Sequence, residues 1–352
     1  AGNGTLLAPV GIIDRPYYQR QDELIIDFHQ HGGHMALCGG PQSGKSSALR
    51  TIVSALALRH SPKAARFYVI DLGGGQLASL ERLPHVAGVA GREEGEKVRR
   101  IVDEVAGFIR RPERCATFLV IDGWHHIGTS NAEFEDIAEK VTEIVADGAS
   151  AHVHVIIATS RWTTMRPAIR DLIANRLELR LGEALDSLID RNLQQKLPCA
   201  PGRGLTLTGE NMLLARTSNQ DIAHICRVHA EAQPVPQLKM LPAVLTPAAL
   251  AAQGDVPASE IAWGIGGRDL DTLTWNPSRE PHLVAIGAQG CGKSTFIAST
   301  IAAVEHMGRE AARMVVLDPR RAHLGRASEE MVAAYAASTS AISPPAAASG
   351  PS

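Results

Sequence analysis

Gly39-Gly40-Pro41-Gln42-Ser43-Gly44-Lys45-Ser46, followed by Ser47, is the stretch on which the reading turns. Its form, G-x-x-x-x-G-K-S, is that of a phosphate-binding loop. The glycines let backbone N–H groups curl around a phosphate without Cβ clashes. The helix expected to follow adds a positive dipole end. Lys45 is placed to reach the β- and γ-phosphates of a nucleotide, and the Ser46 hydroxyl to bind Mg²⁺.

Working outward, the same pattern returns. Gly33-His34 leads through Met35-Ala36-Leu37 into the first loop. Pro281-His282 leads through Leu283-Val284-Ala285-Ile286 into Gly287-Ala288-Gln289-Gly290-Cys291-Gly292-Lys293-Ser294, with Thr295 next. His34 and His282, and Lys45 and Lys293, are each 248 residues apart (282 − 34; 293 − 45). After each lysine comes an apolar-periodic stretch and then a short strand-like run ending in an acid, Phe67-Tyr68-Val69-Ile70-Asp71 and Met314-Val315-Val316-Leu317-Asp318. A repeat of this length is the size of one α/β domain.

The chain divides accordingly. Residues 1–235 form one complete unit, and 236–255, with its prolines, reads as a linker. Residues 256–342 begin a second unit, and 343–352 read as a disordered Ser/Pro/Ala tail. The second unit stops early, because its counterpart of Asp122 would fall near position 370 (122 + 248). In the first unit, strands are predicted at 35–37, 67–70, 118–121 and 153–158. Helices are predicted between them, over 46–59 and 96–109. Strands alternating with helices imply a parallel sheet with helices on both faces.

Composition excludes several classes. Of 352 residues, 45% are hydrophobic and 20% charged, an ordinary globular balance. A net charge of −2 and only 4% aromatics argue against a basic or base-stacking nucleic-acid binder. Five scattered cysteines without a C-x-x-C pair read as reduced, mostly buried thiols. No apolar run is long enough to span a membrane. The spacing of His29, His31 and His34 fits no usual zinc pattern.

Further residues carry chemistry. Thr117-Phe118-Leu119-Val120-Ile121-Asp122 has the shape of a Walker B strand, with Asp122 holding Mg²⁺ opposite Ser46. The next residue is Gly123, where many hydrolytic ATPases have a glutamate that polarises water. Glycine is no base, so slow hydrolysis is expected; Glu93 or Glu94 would be the acids to consider if turnover were fast. Thr159, after the run 153–158, is a candidate γ-phosphate sensor, with capping of its own strand end an equal alternative. Arg176 is a candidate arginine finger toward a neighbouring subunit, against the more ordinary reading of a surface ion pair. His152 and His154 read as core or hydrogen-bonded groups, and His125-His126 as a solvated loop.

Taken together, these residues resemble the FtsK/SpoIIIE ATPase class. The closer likeness is to the EccC-type ATPases of type VII (ESX) secretion systems. Its marks are Pro9-Val10-Gly11-Ile12-Ile13-Asp14, Pro41-Gln42-Ser43-Gly44-Lys45-Ser46, Asp71-Leu72-Gly73-Gly74-Gly75, Pro84-His85-Val86 and Asp318-Pro319-Arg320-Arg321. The resemblance runs over residues 6–342 and corresponds to the second ATPase domain of that family plus the start of the third. It implies a P-loop NTPase (RecA-like) fold in tandem, the second copy truncated, with ATP and Mg²⁺ as ligands. It implies degenerate catalysis in these domains and a regulatory or substrate-docking role. Its implied partners are other ATPase domains or subunits, secreted helical-hairpin (WXG100-like) proteins and a membrane secretion complex. That places the chain in the cytoplasm at the inner membrane. The alternative is a DNA translocase of the FtsK/HerA type, which the near-neutral charge disfavours.

Overall fold

The computed structural model describes residues 6–29, 33–129, 133–267 and 269–338. The chain divides between Leu238 and Lys239 into two compact units. This division falls three residues inside the stretch read as linker.

The first unit is built on ten strands: β1 (Leu7–Arg15), β2 (Arg20–Asp27), β3 (Met35–Cys38), β4 (Ala65–Asp71), β5 (Val86–Gly91), β6 (Ala116–Asp122), β7 (Val153–Thr159), β8 (Asn175–Leu179), β9 (Arg203–Leu205) and β10 (Asn211–Leu214). They form one sheet in the order β2-β1-β10-β9-β8-β3-β7-β6-β4-β5. The six from β8 to β5 are parallel. The four from β9 to β2 are antiparallel and extend one side of the sheet. The parallel core is as the sequence implies; the antiparallel flank was not anticipated.

Successive strand residues face opposite sides, as the twofold pleat requires. Phe67 and Val69 of β4, with Phe118 and Val120 of β6, join one core layer. Tyr68, Ile70, Leu119 and Ile121 join the other. The first layer is covered by α1 (Lys45–Arg59), through Leu49, Ile52, Val53 and Leu56. The second is covered by α2 (Gly95–Arg110), through Val98, Ile101, Val102 and Val105. With both faces sealed, β4, β6 and β7 are buried along their whole length. Strands buried on both faces read as continuous apolar runs, which is why the sequence exposed them.

β3 lies between β7 and β8, and β7 between β3 and β6. The C-terminal ends of β3, β7 and β6 therefore lie side by side, and the functional residues sit there. In open parallel sheets this is where ligands bind.

His34 and His154 fix the entry to β3. His34 Nδ1 accepts from Val155 N–H at 3.0 Å, and His154 Nδ1 bonds the Gly33 carbonyl at 2.8 Å. His152 instead lies outside the strand, exposed, at a left-handed backbone angle (φ 58°). His31 lies outside the described residues. His125 and His126 are half-buried in a single helical turn, 125–128, where a solvated loop was expected. All five cysteines are free, but only Cys38 is buried; Cys199 and Cys291 are exposed. Both sit in irregular segments where no apolar packing calls for burial.

The second unit contains a hairpin (Ile261–Gly266 with Asp271–Trp275), a helix over Lys293–Met307 and a parallel pair (Met314–Leu317 with Val332–Ala336). The apolar run 283–286 before the second loop forms no strand, and Val284 and Ile286 are 76% and 93% exposed. In the first unit β3 is held on both sides by strands from 153–159 and 175–179. Among the described residues no strand pairs with this run. The tail 343–352 lies outside the described residues. No helix among them is long and apolar enough to cross a membrane.

Candidate nucleotide site

The loop Gly39–Ser46 joins β3 to α1 and is bound into its surroundings by backbone contacts. Gly39 N–H donates to Thr159 O at 3.1 Å and Gly40 N–H to Arg180 O at 2.8 Å. Gly202 N–H donates to Ser43 O at 2.9 Å. The Ser43 hydroxyl closes the turn on Gly40 O at 2.8 Å. Pro41 and Gln42 form its exposed crest. Lys45 Nζ folds over the loop and donates to Gly39 O at 2.7 Å and Gly40 O at 2.8 Å. These carbonyls hold the ammonium directly over the cradle. Burial pulls the Lys45 pKa below its ordinary value, with Asp122 and Cys38 opposing the shift.

Ser46, the second residue of α1, donates its hydroxyl hydrogen to Asp122 Oδ2 at 2.5 Å. Asp122 ends β6, two strands away from β3, and is 2% exposed. Burial pushes its pKa up, the Asp71 charge adding to the shift and the Ser46 hydrogen bond and the Lys45 charge opposing it. Asp71 ends β4 in register with Asp122 and spends its carboxylate on its own turn, accepting from Gly73 N–H at 3.2 Å and Leu77 N–H at 2.7 Å. That turn brings Gly73 against Asp122: a Cβ there would lie 2.8 Å from Asp122 Oδ2.

This donor set fits a nucleotide with a hard cation. A loop of backbone N–H groups and an ammonium suit phosphate, and a hydroxyl facing a buried carboxylate suits Mg²⁺, which keeps much of its water and takes few protein oxygens. Ser47 begins a polar cleft of about 270 Å³ beside the first turn of α1, lined further by Ser46, Arg50, Gln76 and Arg216–Asn219. No motif marks the Arg216–Asn219 segment, which follows β10 and approaches α1 only through the fold. A larger cleft of about 560 Å³ lies at the start of α2, where Arg92 pairs with Glu133 at 2.8 Å and Arg99 with Asp136 at 2.6 Å. It contains none of the loop residues.

Gly123 has φ +81°, and a Cβ there would lie 3.0 Å from the carbonyl carbon of Leu72. The backbone after Asp122 is thus shaped for glycine, not merely occupied by it. Glu94 is bound to its own turn at the end of β5, accepting from Gly91 N–H at 2.9 Å, two strands beyond β6. Glu93 lines the larger cleft beside it.

Thr159 ends β7 beside the loop, but its hydroxyl is engaged by Thr164 Oγ1 at 2.7 Å and Arg161 O at 3.2 Å, the strand-end cap. Arg176 lies near the start of β8, in register with Ala36, three residues before the loop. Its guanidinium donates to the carbonyls of Ile173, at 2.7 Å, and Arg170. The structure therefore assembles Lys45, Ser46 and Asp122, sets Thr159 next to them and leaves Arg176 apart.

In the second loop, Lys293 Nζ repeats the folded-back pose, donating to Gly287 O at 2.7 Å and Ala288 O at 2.5 Å. Gly292, Ser294 and Thr295 begin the helix as their counterparts do. Asp318 accepts from Tyr335 Oη at 2.9 Å and His323 N–H at 2.6 Å. Among the described residues no second acid-ended strand faces Ser294 in the manner of Asp122.

Comparison with known proteins agrees with this geometry. The FtsK/SpoIIIE family profile matches residues 5–232. The ESX secretion system protein EccC of Thermomonospora curvata is 34% identical over 97% of this chain and 29% of its own length. The ESX-4 secretion system protein EccC4 of Mycobacterium tuberculosis is 33% identical over 96% of this chain and 29% of its own. The chain thus spans under a third of these relatives. A solved structure of ATPases 2 and 3 of Thermomonospora curvata EccC, in complex with a signal sequence peptide, superposes with a TM-score of 0.78 at 32% identity, over 97% of this chain and 69% of that one. The cytoplasmic domain of the same type VII secretion ATPase gives 0.77 at 33%, over 96% and 43%. The loop, the acid-ended strand and the profile over the first unit make this chain a member of the FtsK/SpoIIIE family, similar to the EccC ATPases.

Proposed function

We propose that the first unit binds ATP with Mg²⁺ at Gly39–Ser46 and serves as a regulatory or substrate-docking segment of a type VII protein-secretion motor, turning over slowly by itself. The observation that carries the binding site is the Ser46–Asp122 contact at 2.5 Å beneath the folded-back Lys45. It joins residues 76 apart in sequence at the one sheet end where loop, cation ligand and helix start meet. Lys45, now on its two carbonyls, would hold the phosphates, and Ser46 and Asp122 would hold the metal. Mg²⁺ supplies charge neutralisation of the phosphates. Thr159, at the end of β7 beside the loop, would contact the γ-phosphate once its hydroxyl left Thr164. Slow turnover is supported by Gly123, whose backbone leaves no room for a water-polarising glutamate. Arg176, its guanidinium bonded to the carbonyls of Ile173 and Arg170, takes no part in this site.

Lys45→Ala removes a charge-assisted contact, typically about 1.5–3 kcal/mol, so ATP affinity falls roughly ten- to a hundredfold. Undiminished affinity sinks the site. The secretion role follows from the likeness to EccC, one of whose solved forms carries a signal sequence peptide. On this reading the partners are further ATPase domains or subunits, helical-hairpin export substrates with a C-terminal signal, and a membrane complex at the cytoplasmic face. A pull-down with such a substrate, run beside duplex DNA at low salt, checks it: retention of DNA alone contradicts the secretion role.

A further inference from the structure

Glu178 lies near the end of β8, in register with Cys38, and is completely buried. An apolar residue would suit such a position; a carboxylate there is costly unless every lone pair is used. Here they are used. Oε1 accepts from Trp162 Nε1–H at 2.7 Å and Leu188 N–H at 2.8 Å. Oε2 accepts from Ser187 Oγ–H at 2.7 Å and Gln194 Nε2–H at 2.9 Å. These donors belong to two segments that both touch the phosphate loop. Trp162 follows β7, whose last carbonyl, Thr159 O, receives Gly39 N–H. Gln194 also receives Leu181 N–H at 3.2 Å, and the carbonyl of the preceding residue, Arg180, receives Gly40 N–H. The charge of Glu178 opposes a phosphate, so electrostatic attraction is not its contribution. Its contribution is geometric.

We propose that Glu178 is a positioning residue for the nucleotide site: one buried carboxylate holds the segment after β7 and the segment after β8 in the frame that fixes the first two residues of the phosphate loop. The proposal rests on the reading of Gly39–Ser46 as an ATP site. The Trp162 arm follows Thr159, whose carbonyl holds Gly39 and whose hydroxyl is the γ-phosphate contact proposed above; the Gln194 arm holds Gly40 through Arg180.

The test uses the full chain, with calorimetric titration of ATP·Mg²⁺ and of ADP·Mg²⁺. Glu178→Gln turns one acceptor oxygen into a donor facing donors, so both affinities fall roughly tenfold. Trp162→Phe, which keeps the aromatic bulk and loses only the N–H, lowers ATP affinity more than ADP affinity, because it loosens both Gly39 and Thr159. Adding Trp162→Phe to Glu178→Gln costs nothing further, the coupling expected of one network. If wild type binds no ATP, the nucleotide reading fails. If wild type binds ATP, Lys45→Ala binds it more weakly, and folded Glu178→Gln binds ATP within about twofold of wild type, the positioning role alone is overturned. Should Glu178→Gln not fold, Trp162→Phe decides: equal losses for ATP and ADP, or none, overturn the proposal.

Discussion

Lowering pH from about 7.5 to about 5.5 strips roughly 4 kcal/mol from the first unit, through three buried histidines. His34, His85 and His154 are each at most 4% exposed, and burial pulls each pKa from 6.5 to about 4. The unfolded chain takes up these protons near pH 6.5, and the folded chain refuses them until about pH 4. Stability is therefore full above 6.5 and is lost as pH falls toward 4. One pH unit below the unfolded value, each histidine has cost about 1.4 kcal/mol, and three sum to about 4, against about 5–15 for a whole domain. Asp122, raised by burial, works in the opposite sense as one group against three. The chemistry at His34 is specific: a proton on Nδ1 would face the Val155 N–H that it now accepts. His154 stacks on Phe118 at 4.9 Å, where charge has no water. Denaturant unfolding followed by tryptophan emission reads the change. His154→Asn, which keeps a donor near Nδ1 and cannot titrate, reduces the loss by about a third. An unfolding midpoint that does not move between these two pH values refutes the reasoning.

Gly73→Ala puts a methyl 2.8 Å from Asp122 Oδ2 and displaces the carboxylate from Ser46. Titrations with and without EDTA should show the metal-dependent part of ATP affinity falling roughly tenfold; an unchanged metal dependence removes Asp122 from the site. Gly123→Glu, which restores the residue type of fast ATPases, gives no gain in turnover and lowers the melting temperature, because φ there is +81°. Steady-state ATP turnover of the unmodified chain stays far below the ~10 s⁻¹ typical of enzymes. A rate near that value would mean another group activates water.

The sequence exposed the parts of this fold whose physics is local. Strands buried on both faces appear as unbroken apolar runs, so β3, β4, β6 and β7 could be placed within a residue or two of their observed ends. Lys45 and Ser46 were legible because the loop is contiguous, and Asp122 because an acid ends an apolar strand. β5, Val86-Ala87-Gly88-Val89-Ala90-Gly91, was missed because its small residues lack the usual strand signature. Its outer side is met by Val235 and Leu238, whose N–H groups donate to Pro84 O and Ala87 O. The antiparallel flank, β9 and β10 with β1 and β2, was missed because it joins through β1 and β10, whose partners, such as Gly11 and Leu214, are far apart in sequence. Glu178 was invisible for the same reason: it sits in Arg176-Leu177-Glu178-Leu179, an alternation that reads as a half-exposed strand, and its donors come from two later or earlier loops. In the second unit the apolar run 283–286 has the composition of a strand, but no strand among the described residues pairs with it, and pairing is what makes a strand.

The central claim is that this chain holds one competent ATP·Mg²⁺ site, in the first unit, with the second loop a weak one. Calorimetric titration of the intact chain with ATP·Mg²⁺ tests it most directly, repeated on Lys45→Ala and Lys293→Ala. The expected result is one site per chain, weakened roughly ten- to a hundredfold by Lys45→Ala and untouched by Lys293→Ala. Two equivalent sites, one of them lost with Lys293, would contradict the account.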